Sequence, residues 1–355
     1  MTQKKDIYPL VVPIWIIFLI CLTATAGYAI SSMIDHHEIA SNDHTNSNLV
    51  PVSSNDTPFR TDVLFGAYIT RITRISMKES NFDVDFYIWF KWKGDNVTPG
   101  EGIEIINGEI NSKELQAELH ENDTNYEQYQ ISASIIQPFD VMLYPFDNHN
   151  LIIKIEDCVS SIYWLQYIHI PENPQNISSS EEIYIPGYKS KSLPTIVEIH
   201  KYPTDFGSPW QEEMPSTYSQ IRLGIGLVRD GWGFYFKLFQ GLFVAVAVAM
   251  ITFTLRPNYA PRFIVGVGAL FAAVANYYNV LSLQPAVNYM TLADTITFTG
   301  IVTIFLSMVG SSISYYLYSF KNNINTSRRF DKYSVITFIF CFIFINLWIV
   351  WFATH

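Results

Sequence analysis

QPFDVMLYPFDNHNL, residues 137–151, crowds three aromatics, two prolines and two aspartates between stretches of β-like alternation. Its centre, Tyr144-Pro145-Phe146-Asp147, is too apolar for a solvated loop and too broken for a strand. Such a connection needs an apolar surface to rest on, so the flanking segments decide what it is.

On both sides the period is two. In FDVDFYIWFKW the even positions Phe82, Val84, Phe86, Ile88, Phe90 and Trp92 make one apolar face, while Asp83, Asp85, Tyr87, Trp89 and Lys91 are polar or amphipathic. QYQISASI repeats the pattern with Tyr129, Ile131, Ala133 and Ile135 inward, and QIRLGIGL with Ile221, Leu223, Ile225 and Leu227. Many short strands separated by turn signals predict an all-β, immunoglobulin-like sandwich over residues 61–233. Residues 31–60, rich in Ser, Asn, Asp and His, read as a polar linker before it.

Beyond residue 233 the pattern changes to four long apolar runs, at about 234–255, 263–283, 295–319 and 333–353. Each approaches the roughly 20 residues a helix needs to cross a bilayer, and only helices or closed barrels satisfy the backbone there. The chain is therefore expected to end in a four-helix transmembrane bundle, residues 234–355. Arg256 and Arg262 in or beside the first connection, and Lys321, Arg328, Arg329 and Lys332 in the third, place both on the cytoplasmic side. The second connection and the β domain then lie outside, extracellular or periplasmic, in a multi-pass protein of the cell membrane. Residues 1–30 have a basic start, an apolar centre and a small-residue Ala24-Thr25-Ala26 site. They read as a signal peptide or an N-terminal membrane anchor.

The net charge of −10 is unevenly spread: residues 31–233 hold 29 Asp+Glu against 13 Lys+Arg, the remainder 3 against 9. No basic footprint for nucleic acid exists. Three scattered cysteines, Cys21, Cys158 and Cys341, suit neither a disulfide framework nor a thiolate metal site. Gly-rich phosphate loops, metal-spaced His/Glu clusters and nucleophile elbows are absent, so no enzyme activity, cofactor or metal is expected.

Together these pieces resemble the pentameric ligand-gated ion channels, the Cys-loop receptor superfamily. In animal members two cysteines with thirteen residues between them close a loop containing a Phe-Pro-Phe-Asp run. Here the flanking positions are Gln137 and Leu151, with thirteen residues between, and the run is Tyr144-Pro145-Phe146-Asp147. The missing disulfide resembles the prokaryotic branch. FYIWFKW is similar to the family's second strand, Arg229 to the arginine ending its last outer strand, QPAVNYMTLADTITF to the connection between its second and third membrane helices, and the short KNNINTSRRFDK to a prokaryotic third connection.

The resemblance implies a homopentamer that passes inorganic ions when a small molecule or proton binds between outer domains. It implies a coupling role for Tyr144, Pro145, Phe146 and Asp147 against the connection at Pro285. Asp147 would be partly buried there and need a cation, by resemblance Arg229, with Glu79 as a possible third member. The implied ligand site is an aromatic cage of Tyr87, Tyr163, Trp164, Phe206 and Trp210. With 55 aromatics in the chain (8 Trp, 22 Tyr, 25 Phe), any such cage can be drawn, and core or interface packing is the alternative reading for each. His120, His149, His169 and His200 leave protons and divalent cations open as ligands.

Aligned on the YMT run, the pore helix 263–283 has Arg262 at the cytoplasmic mouth. Ile264, Gly268, Phe271, Ala275, Tyr278 and Ser282 fall on one helical stripe. Arg262 resembles the charge of anion-selective members, while the acidic outer domain favours cations near the entrance. The stripe lacks hydroxyl-rich wetting residues, so Phe271 is either a hydrophobic gate or packing. The alternative function is a non-conducting membrane receptor of the same fold that signals to a partner, with membrane lipid around it.

Overall fold

The computed structural model describes residues 27, 60–169, 177–179, 183, 185–207, 216–229, 231–320 and 323–354. Apart from Gly27, the predicted leader or anchor lies outside the described residues, as do nearly all of the linker, Cys21 and Trp210. The chain divides into two compact units: one comprises the strands, the other the helices together with residues 140–147.

The strand unit is a sandwich of two sheets. The first holds β1 (Thr61–Ser76), β2 (Asn81–Lys93), β4 (Gly108–Glu121), β5 (Thr124–Ile136) and β7 (Leu165–His169) in the order β4-β5-β2-β1-β7, with β8 (Ile177–Ser179) also paired to β1. The second holds β3 (Ile103–Ile105), β6 (Asn148–Asp157), β10 (Ile196–Lys201) and β11 (Thr217–Arg229) in the order β10-β11-β6-β3, with β9 (Tyr188–Ser192) also on β11. The period-two reading decides which faces are inside. Phe82, Val84, Phe86, Ile88, Phe90 and Trp92 of β2 are buried, as are Ile131, Ala133 and Ile135 of β5 and Ile221, Leu223, Ile225 and Leu227 of β11. β2 is flanked on both sides, pairing β1 and β5 through antiparallel ladders. A strand held along both edges with one apolar face is fixed in register, because a one-residue slip would turn that face outward.

The helical unit contains α1 (Gly231–Ile251), continued by a 3-10 turn at Thr252–Thr254, then α2 (Pro261–Ser282), α3 (Leu292–Ser319) and α4 (Ile324–Thr354). All four are long and apolar enough to cross a membrane. A proline at the first position starts α2, and a capping box of Thr291 and Asp294 starts α3. Small residues allow the helices to approach closely: a Cβ on Gly266 would lie 2.8 Å from Met308 Cγ, and one on Gly300 2.5 Å from Leu242 Cδ1. Buried hydroxyls on α3 donate back along the helix, Thr299 to Thr295 O and Thr303 to Thr299 O, both at 2.8 Å. Their polarity is thereby satisfied without a partner helix.

Candidate functional site

The 140–147 segment leaves β5 and re-enters at β6, yet packs with the helices. Its backbone is tightly turned, Tyr144 N donating to Val141 O at 3.0 Å and Phe146 N to Leu143 O at 2.7 Å, with a cis Tyr144-Pro145 bond. Tyr144 is buried and meets Phe234 edge-on with centroids 5.8 Å apart, and Phe146 meets Trp232 at 5.2 Å and Tyr235 at 5.7 Å. Gly231, the first residue of α1, presses so closely on the Phe146 ring that a Cβ has no room there. The segment also reaches the α2–α3 connection that contains half-buried Pro285. Leu292 N donates to Met142 O at 2.8 Å and the Tyr289 hydroxyl to Asp140 Oδ1 at 3.3 Å. The apolar tip thus touches both the start of α1 and the end of the connection leading into α3.

No disulfide closes this loop; a side-chain amide does. Gln137 Nε2 donates to Asn150 O at 2.6 Å, and Gln137 Oε1 accepts from Ile152 N at 2.9 Å. One residue bonds both ways to the β6 backbone, tying the loop's two ends together without a covalent bond.

Among the other residues read as coupling, Asp147 is buried, with 3% exposure. Arg229 ends β11 with its guanidinium 4.3 Å from the Tyr188 ring centre and donating to the Tyr188 hydroxyl. Glu79 is exposed and takes a bond of 2.7 Å from Arg74 within the β1–β2 hairpin.

At the β6–β10–β11 end of the second sheet lies a cluster that sequence reasoning missed. Glu156 is 2% exposed and receives three donors: Gln220 Nε2 at 2.5 Å, the Tyr202 hydroxyl at 3.0 Å and the His200 ring, whose Nδ1 lies 2.5 Å away. Burial, then the neighbouring Glu156 carboxylate, raises the Tyr202 phenol well above its usual range, so it stays a donor. Around Tyr202 stand Tyr218, with centroids 5.8 Å apart, and Phe206 at 5.3 Å. The arrangement is a buried negative charge behind three aromatic rings, which can attract a cation to the ring faces.

Of the predicted cage, Phe206 belongs to this cluster, 64% exposed on a backbone of φ +54°. Tyr163 and Trp164 are exposed on the turn after β6, which Ile162 N ties to Thr217 O at 2.9 Å, next to Tyr218. Tyr87 is half-buried on β2 in the other sheet, paired with Tyr68 and Gln130, and is not brought to the cluster within one chain. Glu156 and Gln220 gave no signal because they sit in strands where alternation marks only a buried position. Only proximity across three strands reveals their chemistry.

On α2, Ile264, Gly268, Phe271, Ala275, Tyr278 and Ser282 are all exposed, Ile264 by 70% and Phe271 by 71%. Arg262 is the exception and corrects the expectation of a charged ring. It is 0% exposed, with Nη2 2.7 Å from Asp331 Oδ1, Nη1 3.1 Å from Asp331 Oδ2, and the guanidinium 5.4 Å from the Phe253 ring. The reason is periodicity: Arg262 is two residues, about 200° of helical turn, from Ile264. It shares the buried face with Gly266, Ala269 and Ala273.

A two-sheet β-sandwich followed by four membrane-crossing helices, with an aromatic-proline loop bonded to the helix ends, has the architecture of the Cys-loop receptor class. Over 300 residues the chain is 23% identical to the acetylcholine-gated chloride channel subunit acc-1 of Caenorhabditis elegans, a match that takes in 75% of this chain. The similarity supports the pentameric ligand-gated channel family. The chain spans 59% of the length of that relative. No protein-family model matches the chain.

Proposed function

We propose that this chain forms a homopentameric ligand-gated ion channel of the prokaryotic type, whose pore is lined by the exposed stripe of α2. The observation that carries the reading is the 140–147 segment, which belongs by chain connection to the strands and by packing to the helices. A ligand that shifts the strands then moves the start of α1 and the α2–α3 connection together. Gating is a population shift, so the ligand binds the open state more tightly than the closed one. Tyr144, Pro145, Phe146 and Asp147 transmit the shift to Pro285 and its neighbours, with Arg229 as the cation implied for Asp147.

The ligand favoured by the outer cluster is a small cationic amine. Tyr202, Tyr218 and Phe206 supply ring faces, Glu156 supplies the charge behind them, and the turn carrying Tyr163 and Trp164 lies beside. Tyr87 and Trp210 join only from a neighbouring subunit or a part of the loop outside the described residues. The relative's gating by acetylcholine agrees with this chemistry. Anions are the favoured ions, but Arg262 is not the reason, since Asp331 neutralises it inside the protomer. The α2 N-terminus has neither a side-chain cap nor an acidic residue in its first turn. Five such helix ends present partial positive charge to the cytoplasmic mouth.

Recording from the purified protein in planar bilayers, under a chloride gradient and a panel of amines, tests the reading. Amine-evoked unitary currents that reverse near the chloride potential are expected, with Tyr202→Ala raising the half-maximal concentration about tenfold, a loss of one cation-π contact in a partly desolvated site. A second reading, a non-conducting receptor, is favoured by the uncharged stripe around Phe271. Silence in wild type and in Phe271→Ala under every ligand would select it.

A further inference from the structure

The negative charge of Glu156 has one neighbour able to cancel it. Gln220 is held as a neutral donor: its Oε1 accepts from Arg222 Nε at 3.0 Å, which leaves Nε2 to donate to Glu156. Arg222 is in turn taken up by an ion pair with Glu198 on β10. Tyr202 gives Glu156 a phenol hydrogen, again without charge. Glu104 of β3 lies directly opposite Glu156 in the ladder and adds a second negative charge. Of the groups bonded to the Glu156 carboxylate among the described residues, His200 is the one whose side-chain type changes charge between about pH 5 and 8.

The position of His200 couples that change to the site. Its ring and that of Tyr202 have centroids 4.3 Å apart, inside the roughly 6 Å at which a cation acts on an aromatic face. Nδ1 is 2.5 Å from Glu156 Oε1, and the His200 side chain is 33% exposed, so a proton from solvent reaches the ring. The other charged and titratable side chains on the elements packed here are Glu156 and Lys154 of β6, Tyr218 and Arg222 of β11, Glu198 and Lys201 of β10, Glu104 of β3, and Tyr202 and Asp205 after β10. Of these residue types only histidine ordinarily titrates near neutrality.

We infer that His200 is a tethered competitor for the cationic ligand: once protonated, its imidazolium neutralises Glu156 and supplies the positive charge beside Tyr202, so protons antagonise amine binding. The inference rests on the reading of this cluster as the amine site. By linkage the occupied site holds fewer protons than the empty one, so affinity is complete above the titration of His200 and is lost as pH falls through it.

Choline tests this, because its quaternary ammonium keeps one charge at every pH. Equilibrium binding of tritiated choline to the full-length protein in dodecyl maltoside is expected to weaken about tenfold between about pH 8.5 and pH 5.5. His200→Gln keeps a donor for Glu156 but cannot become charged. It should match wild type at about pH 8.5 and lose less than about twofold at pH 5.5. Calorimetry of wild type in buffers of different ionisation enthalpy should show choline releasing protons at about pH 6 and none at about pH 8.5. A flat pH profile or no proton release in wild type would overturn the inference, whether or not the variant folds. A loss of affinity that survives His200→Gln would overturn it as well, by placing the proton on Glu156 or Glu104. Choline binding that ignores pH leaves the amine site standing without its switch, whereas no choline binding at any pH removes both.

Discussion

Arg262 and Asp331 hold opposite charges where neither reaches solvent, joined by two bonds of 2.7 and 3.1 Å and backed by Ser314 at 3.4 Å. Such a pair adds little over apolar residues, but breaking one half strands the other, at a cost of about 3–5 kcal/mol. Asp331→Ala is therefore expected to lower the thermal stability of detergent-solubilised protein sharply. The double replacement Arg262→Met with Asp331→Leu should recover most of the loss; a double variant no more stable than the single would show that the pair matters for something other than charge. Gln137 is a gentler case, because its two bonds to the β6 backbone lie near the surface. Gln137→Ala should cost roughly 1–2 kcal/mol and expose the 140–147 segment to faster proteolysis, with the cleavage pattern as the readout. Asp147, buried at 3% in that segment, carries a functional prediction instead. Asp147→Ala should leave amine binding at the outer cluster within about twofold, the effect of a distant substitution, while abolishing evoked current. Normal gating by surface-expressed Asp147→Ala would end its coupling role.

At the level of elements, α1 and α2 pack closely where Gly241 of α1 meets Asn276 of α2, a Cβ at Gly241 falling 2.6 Å from Asn276 Oδ1. Overpacking of this kind usually costs about 1–3 kcal/mol. Because the atom in the way is the end of the Asn276 side chain, which can turn aside, Gly241→Ala is expected to destabilise the bundle by the low end of that range, about 1 kcal/mol, and to change the open probability, and Asn276→Ala to relieve both. If Asn276→Ala leaves the defect in place, the two helices do not meet through this pair. The strands and helices themselves were legible because each carries one period over many residues: β2 alternates for eleven residues and α2 repeats its exposed positions at steps of three and four. Arg262 was misplaced by attention to its charge and its neighbours in sequence. The same step rule puts it with Gly266, Ala269 and Ala273, on the face turned inward.

For the whole molecule, a sandwich followed by four spans could be read from period and length, whereas the proposed ligand site could not. Its members come from β6, β10, β11 and the connection after β10, and a buried Glu156 looks in sequence like any other residue at a strand end. The proposed pore lies between these cases, since its stripe is a one-helix pattern but its meaning depends on assembly. In the proposed pentamer, α2 is the helix whose apolar window is only 22% buried within one protomer, against 33–50% for the others. An apolar face left open to that extent must be covered by lipid, by neighbours or by a water column. Five Phe271 rings facing one axis would favour drying of the column, because an apolar constriction offers water no partners. Phe271→Ala removes the rings without touching the buried face that holds α2 to α1 and α3. Spontaneous openings without ligand, and a larger unitary current, are expected in bilayer recordings from Phe271→Ala. Phe271→Ser should open at least as readily, since it adds a hydroxyl at the same level. Were both variants to conduct no more than wild type while still assembling as pentamers in native mass spectrometry, the stripe would be packing and the pore would lie elsewhere or not exist.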